Sequence, residues 1–128
     1  MSRLMGYELR VEREKPLGHA ELASALSAVA EFDLSGTHQN GEVVARFGDA
    51  AYPIATWSGR LQGEPASDWQ LAQLAVLCDL VGARLVGEDG EVYGIRDGIL
   101  EQTMDGVTSF EFGKLEEILA AGPSSWSE

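Results

Sequence analysis

The chain has 128 residues, 45% of them apolar and 23% charged, values ordinary for one globular domain that needs neither metal nor disulfide support for its core. Twenty-one acidic residues oppose nine Lys and Arg, giving −12 with neutral histidines. The imbalance argues against direct grip on nucleic acid or an anionic membrane, both of which attract basic surfaces, and in favour of a basic protein partner.

The charge is uneven. Residues 1–63 hold 8 acids and 6 bases, whereas residues 64–128 hold 13 acids and 3 bases. The single cysteine, Cys78, rules out an intrachain disulfide and suits a reducing cytosol. The N-terminus shows no apolar signal core, and no apolar run reaches the length of a transmembrane helix. A soluble, cytoplasmic protein is the expectation.

The first strand falls in "GYELRVERE", where Tyr7, Leu9 and Val11 alternate with Glu8, Arg10 and Glu12. Pro16 ends that run and can open a helix over "LGHAELASALSAVAEF", whose Leu22, Leu26 and Val29 share one face. "FDLSGTHQNGEVVARFG" reads as a hairpin with a tight type I′ turn at Asn40-Gly41. "AYPIATWSG" adds a strand in which Pro53 asks for an edge or an early position, and "GRLQGEPAS" reads as loop.

The second helix has the clearest start signal. Ser67 and Gln70 form a capping box, Asp68 complements the positive helix end, and Gly82 is placed to terminate it. Its apolar surface is wide: Leu71, Leu74, Cys78 and Val81 form one stripe, with Val76, Leu77 and Leu80 beyond it. Such breadth fits a central helix, or one that meets another chain, so a homodimer is an open possibility.

Asp-Gly recurs at 89–90, 97–98 and 105–106, between the short segments "ARLVGE", "EVYGIR", "ILEQTM" and "VTSFEF". Tight turns between strands explain all three pairs. A calcium loop requires oxygen ligands at alternating positions and a closing Glu, which no twelve-residue window supplies. "GKLEEILAAGP" is a short helix closed by Gly122 and Pro123, and "SSWSE" is a mobile tail. The expected architecture is one α+β domain over residues 1–122, a largely antiparallel sheet with two main helices packed on it and a strand-rich C-terminal part, followed by a flexible tail at 123–128.

Chemistry-bearing patterns are sparse. His19 and His38 each read as solvated, Cys78 as a small buried hydrophobe, and no nucleophile elbow, Walker loop or dinucleotide-binding loop is present. Trp57 and Trp69 read as residues at the rim of the core, and Trp126 as either a partner anchor or part of an idle end. Neither catalysis, nor a cofactor, nor a metal is expected. Tyr93 is either an aromatic anchor in an acidic rim or a plain core residue. The candidate partner-binding set is Glu88, Asp89, Glu91, Tyr93, Asp97, Glu101 and Asp105, of which strand alternation lets only a subset face one way.

"MGYELRVEREKPLGHAELASAL" and "LAVLCDLVGARLVGEDGEVYG", about a third of the chain, resemble the small acidic immunity proteins of bacterial polymorphic and type VI secreted toxins. The resemblance lies in order: a short strand, a helix after a proline, and a second helix running into "GARLVGEDGEVY". It implies a cytoplasmic inhibitor that binds its cognate toxin, often over the active site, without catalysis of its own. It carries no fixed functional residues. The competing readings are a small-molecule-binding or regulatory α+β domain and, third, a small carboxylate enzyme.

Overall fold

The computed structural model describes residues 7–124. Its elements, in chain order, are β1 (Leu9–Glu12), α1 (His19–Ser27), β2 (Phe32–Gly36), β3 (Gly41–Phe47), β4 (Ala50–Trp57), β5 (Leu61–Gly63), α2 (Asp68–Leu80), β6 (Arg84–Val86), β7 (Val92–Arg96), β8 (Ile99–Met104), β9 (Val107–Lys114) and α3 (Leu115–Ala121). The chain is therefore mixed, with three helices and one nine-stranded antiparallel sheet among the described residues. Trp126 and most of the expected tail lie outside them.

Strand order is β2-β3-β4-β5-β1-β6-β7-β8-β9. The first strand is the seam: it pairs with β5 on one side and β6 on the other, joining two four-strand meanders. Leu9 is fully buried, while Arg10 and Glu12 alternate to the other face and pair with each other at 3.1 Å. Each meander is entered through a helix, α1 before β2 and α2 before β6.

α2 occupies the core. Eight of its thirteen residues are buried, among them Trp69, Leu71, Leu74, Leu77 and Cys78. The helix touches β4, β6 and β7 from one side and α3 from another. Much of the helix's apolar breadth is spent inside the fold, Leu77 included, whereas Leu80 stays 37% exposed. Trp69 itself is central, edge-on to Phe47 at 6.0 Å and Tyr52 at 5.5 Å.

The capping signals are realised. Ser67 Oγ accepts from the Gln70 N–H at 3.1 Å, and Gln70 Oε1 accepts from the Ala66 N–H, one residue before the cap. At the other end, Gly82 has φ +69°, its N–H donates to Asp79 O, and the Ala83 N–H donates to Cys78 O, a Schellman closure. Pro16 lies ahead of α1 rather than in it, and Gly18 is the N-cap without a side-chain partner. Arg13 ties this corner together: its guanidinium grips Glu21 of α1 with two nitrogens, at 2.6 and 2.8 Å, and donates to Val81 O at 2.9 Å.

Two expectations about the first meander are corrected. "RLQG" is not loop, because Leu61–Gly63 pairs with both β4 and β1. The β2–β3 hairpin turns over Thr37–Asn40 instead of at Asn40-Gly41: Thr37 N–H donates to Asn40 O at 2.8 Å, and Thr37 Oγ1 accepts from Gln39 and Asn40. A threonine hydroxyl that satisfies two loop N–H groups outcompetes the dipeptide's preference for a two-residue turn. Pro53 sits at a bulge in β4, in the stretch that β5 does not reach, so its missing N–H costs no ladder bond to β5.

In the second meander all three Asp-Gly pairs are turns. Asp97 and Gly98 have φ of 53° and 76°, and Asp105 and Gly106 have 54° and 80°, the two left-handed residues of a type I′ hairpin. The first turn is longer, Glu88–Gly90, with only Gly90 at positive φ (85°) and closure by Gly87 N–H to Glu91 O at 2.9 Å. β9 carries an extra residue at Ser109 and another at Phe112, where the pairing with β8 shifts register.

Candidate protein-docking site

The seven nominated residues divide into three groups. Glu91, Tyr93 and Glu101 are buried; Glu88, Asp89 and Asp105 are exposed at one end of the β6–β9 meander; Asp97 is exposed at the opposite end. They do not form a single acidic face.

Glu91 is only 5% exposed. Its Oε2 accepts from the hydroxyls of Tyr93 at 2.7 Å and Tyr7 at 2.9 Å, and its Oε1 accepts from the Asp89 N–H at 3.1 Å. Burial pushes its pKa up, but the hydrogen bonds from Tyr93, its own N–H, Tyr7 and Asp89 together outweigh burial and hold it below the ordinary carboxylate value. Tyr7 in turn accepts from the Glu88 N–H at 2.8 Å, and burial beside Glu91 pushes its own pKa up. The carboxylate thus organises the first acidic turn from within and is not offered to a partner.

Tyr93 belongs to the core, tilted against Phe112 at 6.2 Å. Glu101 points to the other face of the sheet. Arg96 Nε meets its Oε2 at 3.1 Å, and Thr108 donates to its Oε1 at the same distance. A carboxylate engaged in this way is poorly placed to greet an incoming cation.

The two acidic turns at one end flank an apolar cluster. Met104 pairs with Val107 across the Asp105-Gly106 turn, and Gln102 pairs with Phe110 on one side and Tyr93 on the other. Strand alternation sets Gln102 and Met104 on the same face. Val107, Phe110 and Met104 are 68%, 42% and 37% exposed, three of the five large hydrophobics that reach the surface among the described residues. Phe110 stands edge-on to Phe112 at 4.7 Å, so it is braced through Phe112 to the buried Tyr93. Braced aromatics with acidic neighbours have the composition of a protein-binding surface: apolar anchors give residence time and charges speed encounter.

The sequence-derived set does not include Met104, Val107, Phe110 or Gln102. The hairpin register around Asp105-Gly106 could have paired Met104 with Val107. The bulge at Ser109, which brings Phe110 opposite Gln102, has no sequence signal.

Elsewhere, His19 and His38 are not separate: their rings lie 6.4 Å apart, with His19 also 5.8 Å from Trp57. Trp57 is buried and donates its Nε1–H to His38 O at 2.9 Å. Cys78 is buried as expected, and burial pushes its thiol up to about 12. No three His, Cys, Asp or Glu side chains converge as a metal-binding group among the described residues. No described helix is long and apolar enough to cross a membrane. No family model, curated protein or solved structure matches the chain.

Proposed function

We propose that this chain is an immunity protein of the bacterial polymorphic or type VI toxin class, a cytoplasmic inhibitor that binds a cognate basic toxin and has no catalysis of its own. One observation carries the reading: the Met104–Val107–Phe110 cluster stands at the same end of the sheet as the acidic turns at Glu88-Asp89 and Asp105. An end of that composition fits a basic cleft, with carboxylates where phosphates would lie and apolar side chains against the cleft wall. In this reading α1 and α2 form the layer behind the sheet, and the β6–β9 meander presents the binding end.

A second reading has its own support. A cavity of about 350 Å³, lined by Glu8, Glu42, Gln62, Glu64 and Gln70 with Pro53 and Ile54, opens where β5 fails to follow β4. It suits a small cationic ligand.

Affinity purification from cells that make the toxin encoded beside this gene separates the two. The first reading expects a stoichiometric basic protein whose toxicity is relieved by co-expression of this chain. Absence of both binding and protection, with a small molecule co-purified instead, would replace it with the second.

A further inference from the structure

The sheet has two edges, β2 and β9, and they differ. β9 carries bulges at Ser109 and Phe112, which break the regular row of N–H and C=O groups that a further strand needs. β2 pairs with β3 from Phe32 to Gly36 without a register shift, and it contains neither proline nor lysine. Both of its ends are held. Arg46 Nη1 donates to Ala30 O at 2.8 Å and Arg46 Nη2 pairs with Asp33, while Thr37 Oγ1 fixes the turn at the far end.

Antiparallel pairing decides which groups the β2 edge offers, because successive residues turn their backbone groups to opposite sides. Arg46 N–H donates to Glu31 O at 2.9 Å, and Thr37 N–H donates to Asn40 O at 2.8 Å. Odd-numbered residues of this stretch therefore face β3, and Phe32, Leu34 and Gly36 turn their N–H and C=O groups outward. The Phe32 N–H bends back to Val29 O at 3.5 Å. Among the described residues, no hydrogen bond reaches the Phe32 C=O, either backbone group of Leu34, or the Gly36 N–H. Leu34 is half-buried, and Asp33, Ser35 and Gly36 are exposed.

We propose that β2 is a self-association edge, pairing antiparallel with β2 of a second copy of this chain about a two-fold axis at Leu34. The strand, Phe-Asp-Leu-Ser-Gly, is complementary to its own reverse. In that register Leu34 exchanges both backbone bonds with Leu34 of the second copy, and the Gly36 N–H meets the Phe32 C=O on each side of the axis. Asp33 falls opposite Ser35, a carboxylate opposite a hydroxyl donor, so no acid faces another. Phe32 falls opposite Gly36, which has no side chain to obstruct it. The two Leu34 side chains meet on the face that already packs against the core. The net charge of −12 on each chain opposes approach, but Asp33 is matched by Arg46, so the edge itself is locally neutral. A five-residue strand contact falls short of the roughly 1,200 Å² that marks stable interfaces, so the dimer is weak and strengthened by salt. This edge is the one remote from β9, and the proposal does not depend on the reading of the chain as a toxin-binding protein.

The test begins with the wild-type protein in sedimentation equilibrium, from micromolar to millimolar concentration and at two ionic strengths. The mean mass should rise above that of one chain toward twice that value, and rise further at high salt, where repulsion between acidic copies is screened. Over the same range, amide hydrogen exchange at Leu34 and Gly36 should slow, while Asp33 and Ser35, which face β3, should not change. Leu34→Lys and Leu34→Glu, checked for fold by circular dichroism, each set like charges across the axis and should weaken self-association about tenfold. Leu34→Lys also lowers the acidic net charge, so its weaker association would run against the change in overall field. A mixture of the two variants should recover most of the loss. A mass that stays at one chain throughout, or protection that appears at other amides and not at Leu34 and Gly36, overturns the proposal with the wild type alone. So does self-association of either variant at wild-type strength, or a mixture no better than its components. Toxin neutralisation is judged separately, by co-expression, whichever way these results fall.

Discussion

Tyr7, two residues before the central strand, donates its hydroxyl at 2.9 Å to Glu91, 84 positions along the chain. That single contact ties the seam between the two meanders to the first acidic turn of the second. Tyr93 donates to the same oxygen at 2.7 Å, so three side chains and the Asp89 N–H close one buried network. Buried networks of this kind are costly to break, because every remaining member is left unsatisfied.

Glu91→Gln should therefore destabilise the fold by about 2 kcal/mol, the scale of hydrogen bonds to a charged group. The pH dependence has a definite sign. The folded-state pKa of Glu91 is lowered, so its contribution is complete above the unfolded carboxylate value of about 4.3 and is lost as pH falls through the lower folded value. Urea unfolding midpoints measured from neutral to acid pH should converge for wild type and Glu91→Gln at the acid end. A constant gap down to the lowest pH would mean the carboxylate charge is not what the network stabilises.

Gly87 provides an independent probe of the same network. A Cβ at this position would fall on the Glu91 carboxylate, which its hydrogen bonds prevent from swinging aside. Gly87→Ala should lower stability by about 1–3 kcal/mol, the range for a small overpacking change. Most of that loss should vanish in the Glu91→Ala background, where the obstructing group is gone. Additive costs in the double variant would show that the clash lies elsewhere.

Cys78 makes a simple prediction. Its thiol is buried in α2 and pushed up to about 12 by desolvation, so very little thiolate exists at pH 8. Labelling by a disulfide reagent should be slow in the native protein and fast in urea. Rapid native labelling would mean that α2 opens readily, contrary to its central place.

The parts of the fold legible in sequence are those decided by neighbours a few residues apart. The Ser67–Gln70 cap, the Gly82 stop and the Asp-Gly turns each depend on local hydrogen bonds or on φ. What escaped was decided by distant partners. No local pattern reveals that Tyr7 meets Glu91, that α2 is enclosed by both the sheet and α3, or that three residues of "RLQG" pair with strands on both sides. The binding set suffered most: an acid on a strand looks the same whether it faces water or, like Glu101, an arginine, although the Asp97-Gly98 hairpin does set Arg96 and Glu101 close together on one face.

Turn chemistry can be tested at Gly90. Its φ of 85° lies in the left-handed region, and open space around a Cβ there leaves backbone conformation as the main cost of substitution. Gly90→Val should cost about 1 kcal/mol or more. Thermal unfolding with calcium and with chelator should differ by no more than a small nonspecific shift, since the three Asp-Gly pairs are spread over both ends of the meander. A large calcium-dependent shift would require that acids from separate turns converge on one ion.

The acidic residues give the sharpest functional contrast, because position and charge can be separated. Glu88, Asp89 and Asp105 share the end that bears Met104, Val107 and Phe110, whereas Asp97 sits at the far end of the same hairpins. Reversing the first three to lysine should slow association with a basic toxin strongly at low salt and much less at high salt, since rim charges act on encounter and are screened by ions. Asp97→Lys changes net charge but lies away from the proposed docking end, and each exposed pair contributes only about 0.2–1 kcal/mol, so it should have little effect by itself. Phe110→Ala should act on the other rate, accelerating dissociation while leaving encounter nearly unchanged. Surface-plasmon kinetics at two ionic strengths measure all three. If Asp97→Lys slows association as much as the triple reversal does per charge, the protein's overall field steers the partner and this end of the sheet holds no special place. If the triple reversal and Phe110→Ala leave both rates unchanged, this end of the sheet is not the binding surface proposed for it.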